Sequence, residues 1–200
     1  MKLLKILPLI MLLIFLIPAK SFAAMPKIEA GQQYYDVFKG YFVLKDSVRV
    51  EMNNRGVTAI IKADGAKVNV VSQKCWAEGN VKLSHDDENF SCDNAYIQLR
   101  NKTAEVVGNV NFSNKDVLNV TADTAVFNWG NKLVDFYGNV KVKGEKNLQL
   151  EKGLKIKKKV YSHIRYNVIE NKILMLEEKS DTPDIEIPDP DEKSEENLDE

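Results

Sequence analysis

Three aspartates, Asp64, Asp93 and Asp123, recur at intervals of 29 and 30 residues. Carboxylates can act as general acids or bases, but that chemistry calls for a converging pair rather than one group per interval. Each stands in a similar short segment: Ala63-Asp64-Gly65-Ala66, Cys92-Asp93-Asn94-Ala95 and Ala122-Asp123-Thr124-Ala125. The regular spacing points to a capping role at a backbone corner, with hydrogen bonds to local backbone. Cys75 and Cys92 could form a disulfide in an oxidising compartment. If residues 85–88 turn the chain, Val81 lies near Cys92, which leaves Cys75 six residues away, roughly 20 Å at strand rise. A disulfide needs Cα atoms within ~7 Å, so buried free thiols are expected. His85 falls in a turn and His163 in a late corner, neither with Cys, His or carboxylate neighbours at ligand spacing, so no metal is expected. Nucleophile elbows and phosphate-cradling glycine loops are missing too, which argues against an enzyme and against a cofactor.

The elements that position these residues are strands. The stretch Leu118–Val142 alternates Leu118, Val120, Ala122, slips phase at Thr121-Ala122-Asp123, and resumes at Ala125, Phe127 and Trp129. Gly130-Asn131 turns the chain into a second limb with Val134, Phe136, Gly138, Val140 and Val142. Period-two alternation puts one set of side chains on one face, and a phase slip marks a bulge that bends the strand while keeping that set inward. The unit repeats. Gly79-Asn80-Val81, Gly108-Asn109-Val110 and Gly138-Asn139-Val140 keep step with the aspartates, and Asp46-Ser47-Val48 is a degenerate copy. Turn-rich clusters fall every 12 to 16 residues, from Asn53-Asn54-Arg55-Gly56 to Gly144-Glu145-Lys146. Successive strands therefore pair as hairpins. The expected fold is all-β, a long antiparallel meander of bent strands, each about 10 residues or 33 Å long, folded into an open V-shaped trough.

The inward set is Val48, Val50, Ala66, Val68, Val70, Ala77, Val81, Leu83, Ala95, Ile97, Leu99, Ala104, Val106, Val110, Phe112, Ala125, Phe127, Trp129, Phe136, Val140 and Val142. The facing set is polar, as in Lys82, Gln98, Glu105, Asn109 and Lys141. The glycines of Gly-Asn-Val are expected on the inward face, allowing tight curvature or leaving room.

The ends differ from this middle. Residues 1–23 have Lys2 and Lys5, a twelve-residue apolar core from Ile6 to Ile17 and Ser21-Phe22-Ala23. This is the pattern of a secretory signal cleaved after Ala23; a retained anchor would need about 20 apolar residues. Residues 177–200 hold 12 acidic residues against 2 lysines, whereas residues 24–176 are net +6. The tail has too few large apolar residues to offset its ordering entropy and is expected to be disordered. It is a solubilising extension, a mask over the basic domain, or a handle for a basic partner. The basic run from Lys141 to Lys159 is a solvated face or an anion-attracting rim; without interleaved aromatics it does not suggest nucleic acid.

The iteration of Ala-Asp-x-Ala-x-aromatic-Asp/Asn followed by Gly-Asn-Val resembles the OstA-like or LptA family of periplasmic lipopolysaccharide-transport proteins, a pattern shared with LptC and the N-terminal region of LptD. Resemblance covers residues 28–176. It departs at Gly31, where an acidic residue is usual, and at Asp46-Ser47 for Gly-Asn. It implies a β-jellyroll or "taco" open at both ends, whose inward set binds the acyl chains of lipid A. Implied partners are lipopolysaccharide, LptC-like and LptD-like components, and a second copy joined by strand addition at Tyr41–Glu51 or Ile164–Leu176. Different readings are a structural β-repeat whose core is filled by its own side chains, and an LptC-like anchored receptor.

Overall fold

A computed structural model describes residues 27–54, 57–69, 71–85, 87–157, 159–179 and 181–191; the expected signal at 1–23 and Val70 of the expected inward set lie outside them. The strands are β1 (Lys27–Glu29), β2 (Gln32–Asp36), β3 (Tyr41–Asn54), β4 (Val57–Asn69), β5 (Lys74–His85), β6 (Glu88–Gln98), β7 (Thr103–Asn114), β8 (Leu118–Asn128), β9 (Leu133–Gly144), β10 (Gln149–Leu150), β11 (Tyr161–Asn167) and β12 (Lys172–Glu177). They form one twelve-stranded sheet in which β3 to β9, then β11 and β12, are successive antiparallel neighbours. The order follows the sequence because each turn is short and closes a hairpin before a distant strand can compete. The sheet does not close into a barrel, and no helix occurs among the described residues. The all-β open jellyroll expected from the alternation is the observed architecture.

Two edges differ from expectation. β3, which contains Tyr41–Glu51, is covered: β1 pairs with its second half and β2 with its first. The N-terminal edge is therefore β1 and β2, whose side chains are mostly exposed. At the other end β11 is internal, between β9 and β12, and the short β10 runs parallel to the start of β12. Beyond Ile173, β12 keeps β11 on one side and has no strand on its outer side among the described residues.

Each long strand bends at one place, where the pairing register skips. Between β7 and β8, for example, Val107 pairs with Thr124 and Val110 with Ala122. On the odd strands the corner is a Gly-Asn pair with both residues at positive φ: Gly79 (69°) and Asn80 (49°), Gly108 (83°) and Asn109 (46°), Gly138 (69°) and Asn139 (45°). Glycine and asparagine tolerate this left-handed region best. The aspartates complete the corner, though not as expected. Each accepts a hydrogen bond from the Asn side-chain amide of the next strand rather than from local backbone: Asn80 Nδ2 to Asp64 at 2.8 Å, Asn109 to Asp93 at 2.8 Å, and Asn139 to Asp123 at 2.7 Å. Nor do the glycines leave room inside. A Cβ on Gly108 would stand 2.4 Å from an Asp93 carboxylate oxygen, so the missing side chain makes space for the aspartate. In the first copy the pair is reversed. Gly31 takes the aspartate's place and Asp46 the glycine's, with Asp46 and Ser47 at φ 60° and 64°; a Cβ on Gly31 would meet that of Asp46 at 2.8 Å.

The bends bring the two limbs of each strand face to face. Phe112, beyond the corner of β7, packs on Phe136 and Tyr166 of the opposite limb with ring centroids 5.7 and 5.9 Å away. Around it lies the main core, with Leu118, Val120, Ala125, Phe136, Val140, Ile164, Tyr166 and Ile173 wholly buried. A separate small cluster, Leu44, Val48 and Ala66 with Ala30, Val50 and Val68 against it, occupies the trough at β1 to β4.

Candidate functional site

The inward face carries nearly all the residues expected to line the trough. Val48, Val81, Ala95, Val106, Val110, Phe112, Ala125, Phe136 and Val140 are buried, and Val50, Val68, Leu83, Ile97, Phe127 and Val142 are half-buried. Trp129 lies just past the end of β8, half-buried with its ring 6.1 Å from Phe127. Leu99 lies past the end of β6 and is 55% exposed, so it belongs to a turn rather than to the strand face. Leu44, Ile61, Phe90, Ile164 and Tyr166 join the inner face and were not among the expected residues. The same alternation and register would have found them: Val50 pairs with Ile61, Phe90 with Phe112, and Ile164 with Phe136.

The trough is not uniform. At β7 to β12 it is filled. Across its mouth Asn114 Nδ2 donates to Tyr166 Oη (3.2 Å) and to Asn171 Oδ1 (3.3 Å), and Tyr166 Oη donates to Asn171 Oδ1 (3.0 Å). Burial pushes the Tyr166 phenol up to about 12, so it stays a neutral donor in this staple. The β9–β11 connection packs Leu148, Leu150, Leu154 and Ile156 against the core. Lys152, Lys155 and Lys157 of this connection stay exposed. Next to this plug is a cavity of about 30 Å³ between Leu83, Phe90, Phe112, Phe127, Val134 and Val168, about one water's share of volume. Toward β2 the lining thins: Val50 and Val68 are half-buried and Phe42 is 47% exposed. Among the described residues, Ala30, Val50 and Val68 are the partly buried apolar residues packed against the cluster at this end.

Cys75 pairs with Ile97 and Cys92 with Val81 on this face, both free. Burial pushes their thiols up to about 11 and about 12 respectively, with Asp93 adding to the effect at Cys92. Neither is poised as a thiolate nucleophile.

The outer face holds two groupings that were not foreseen. His163 is buried there, its Nε2 2.7 Å from Asp135 Oδ1 and its Nδ1 3.4 Å from Glu177, with the Tyr137 ring stacked at 4.4 Å. Arg165 Nε donates to the same Asp135 oxygen at 2.7 Å. Burial alone would raise the Asp135 carboxyl, but the hydrogen bonds from His163 and Arg165 outweigh it and hold it below the usual carboxylate range. Strand register assembles these partners from β9, β11 and β12, so spacing along the chain does not reveal them. Among the described residues no group of His, Cys, Asp and Glu could hold a metal.

The second grouping involves the acidic tail. Residues 181–191 form no helix or strand, yet they are not free of the domain. The Trp76 indole N–H donates to the Pro188 carbonyl at 2.8 Å, Tyr41 Oη donates to the Pro190 carbonyl, and Asp191 pairs with Lys39 (2.8 Å) and Lys67 (3.0 Å). Trp76 lies between Tyr41 and Tyr96, centroids 5.6 and 5.2 Å away. Proline carbonyls and one carboxylate thus join these tail residues to an aromatic and basic strip.

The geometry thus offers one extended apolar face and no converging catalytic set among the described residues. The comparison with curated proteins returned no match. A family model described as OstA-like protein matches residues 45–168, most of the bent-strand repeat. With more than half of the sequence matched and the repeat folded as an open β-jellyroll, the chain belongs to the OstA-like family, one of periplasmic lipopolysaccharide transport rather than catalysis.

Proposed function

We propose that this protein binds the acyl chains of lipopolysaccharide along the inward face, in the periplasm, and passes the lipid between the inner and outer membranes. The observation that carries this reading is the contrast along the trough. The strip from Phe42 through Val68 and Val50 remains partly exposed, whereas the far half is filled by its own side chains. Burying a methylene contributes about 0.8 kcal/mol, so about ten of them contribute roughly 8 kcal/mol. An acyl chain laid along Val50, Val68 and Leu83 would gain much of this while its phosphate-bearing head stayed in water. Residues 1–23 would direct export and be removed by cleavage after Ala23. The unpaired edges of β1 and β2 suit strand addition by an LptC-like or LptD-like partner or by a second copy.

A structural β-repeat with a self-filled core is the second reading, favoured by the plug at Phe112, Phe136 and Tyr166. Photo-crosslinking in cells separates the two. A photoreactive residue at inward Val50 or Val68 is expected to capture lipopolysaccharide, and one at outward Arg49 or Lys62 is not. Equal labelling of both pairs, or none, would remove the lipid-binding reading.

A further inference from the structure

One rim of the sheet differs from the other. Its turns are β2–β3 (residues 37–40), β4–β5 (71–73), β6–β7 (99–102), β8–β9 (129–132) and β11–β12 (168–171). Each carries a large apolar residue, Phe38, Val71 and Ile169 at the tip and Leu99 and Trp129 at the base, where their N–H groups donate to the Gln73 and Lys102 carbonyls. Phe38 is 98% exposed, Val71 87%, Ile169 70% and Leu99 55%, and Trp129 is half-buried. On the opposite rim the described turn residues are Asp87, Lys115, Asp116, Glu145 and Lys146, and Val117 is folded away at 4%. The exposed apolar tips are held in place. Asp36 accepts from the N–H of Phe38 (3.0 Å) and Lys39 (3.1 Å), and Asn167 accepts from Ile169 and Glu170 (both 3.0 Å). Asn69 and Asn128 cap the turns carrying Val71 and Trp129 in the same way. Such turns fix the tip side chain outward at no further ordering cost on binding.

A cation lies in or next to each turn: Lys39, Arg100 with Lys102, and Lys132 within the turns, and Lys74 and Lys172 at the first strand residue after them. Lys39 and Lys172 already pair with Asp191 and Glu151, so Lys74, Arg100, Lys102 and Lys132 are the charges offered. Exposed Glu170 is the acidic residue among the tips. Hairpin tips on one rim recur every second strand, about 10 Å apart, so the five span roughly 40 Å. Between them lie polar residues such as Gln73, Asn101 and Asn131. Spread over this length between polar residues, these tips do not form the single desolvated apolar core that a protein–protein interface buries at its centre. A line of separate apolar wedges, each beside a cation, fits instead the interfacial zone of a bilayer, where tips enter among the acyl chains and anionic headgroups fill the gaps.

We infer that this rim docks the protein on an anionic membrane surface, with Phe38, Val71, Leu99 and Ile169 entering the headgroup boundary and the neighbouring Lys and Arg residues meeting lipid phosphates. The inference stands apart from the groove, since the rim would hold the membrane whether or not the inward face binds a lipid. The chain from residue 24 onward contains every strand of the sheet and is the material for the test. Its co-sedimentation is measured with vesicles of phosphatidylcholine alone and of phosphatidylcholine mixed with phosphatidylglycerol. Binding is expected to the mixed vesicles, to weaken with added salt, and to fall at least about tenfold in the triple variant Phe38→Ser, Val71→Ser, Leu99→Ser. The double variant Lys102→Glu, Lys132→Glu carries the same expectation without removing an apolar group. Equal binding to both vesicle types, no binding, or unchanged binding in both variants would overturn the inference. Unchanged Val68 crosslinking in the rim variants would show that the groove acts separately.

Discussion

The two halves of the trough are built from one repeat yet end differently. At β3 to β5 the inward residues meeting across strands are Leu44, Ala66 and Ala77, then Val48 and Ala63, then Val50, Ile61 and Leu83. At β7 to β9 they include Phe112 with Val120 and Val142, and Ala125 with Phe136. The backbone corner is the same, so the bend is the same. Side-chain bulk and the β9–β11 connection decide whether the space between the limbs is filled. The repeat sets the curvature, and the residues hung on it set whether curvature yields a core or a groove.

Removing the plug should have the largest effect. Phe112→Ala is expected to destabilise by about 3–5 kcal/mol, measured by denaturant unfolding, whereas Val68→Ala in the open half should change stability by less than about 1 kcal/mol. Similar losses at both sites would erase the difference between the halves. The corner comes next. Gly108→Asp places a side chain at φ 83° against Asp93 and is expected to destabilise by roughly 2–4 kcal/mol. Adding Asp93→Gly should restore a large part of that, because Gly31 and Asp46 already show the exchanged arrangement. If the double variant is no more stable than the single, steric exclusion is not what fixes these glycines.

Smaller effects lie on the outer face. Asp135→Asn leaves His163 and Arg165 without their carboxylate and should cost about 1–3 kcal/mol near neutral pH. The folded-state carboxyl titrates below its ordinary value. Its stabilisation is therefore present above the unfolded value of about 3.9 and is lost as pH falls through the folded one. The gap between wild type and variant should narrow in acid, and a gap independent of pH would contradict the linkage. The smallest change is expected for Trp76→Phe, which removes the hydrogen bond to Pro188 but keeps a ring between Tyr41 and Tyr96: stability should shift by about 1 kcal/mol or less, while residues 181–191 become more susceptible to limited proteolysis.

Much of the backbone was legible because it repeats. Gly-Asn in step with Asp placed the corners at Asp64, Asp93 and Asp123, and alternation placed Val81, Val106, Val110 and Phe136 on one face. What repetition does not encode was not legible. The reversed pair Gly31 and Asp46 looked like a departure from the pattern, since complementarity of the two sites appears only when strands are set side by side. β2 reads Gln-Gln-Tyr-Tyr-Asp, without apolar alternation, so its place as an edge over β3 rests on pairing alone. Asp135, His163 and Glu177 meet through register across three strands. The filling of the β7 to β12 half also draws on Leu148, Leu150, Leu154 and Ile156, whose alternation is broken by Lys152-Gly153 inside a lysine-rich run and reads as a loop.

The central claim is that hydrocarbon enters the half near Val50 and Val68 and is kept out of the half around Val110, Val120 and Val140. Methyl NMR with a nitroxide-bearing lipid A analogue tests it directly. The account predicts broadening of the Val50 and Val68 methyl signals with those of Val110, Val120 and Val140 unchanged. Broadening concentrated in the buried valines, spread evenly over both sets, or absent from both would contradict it.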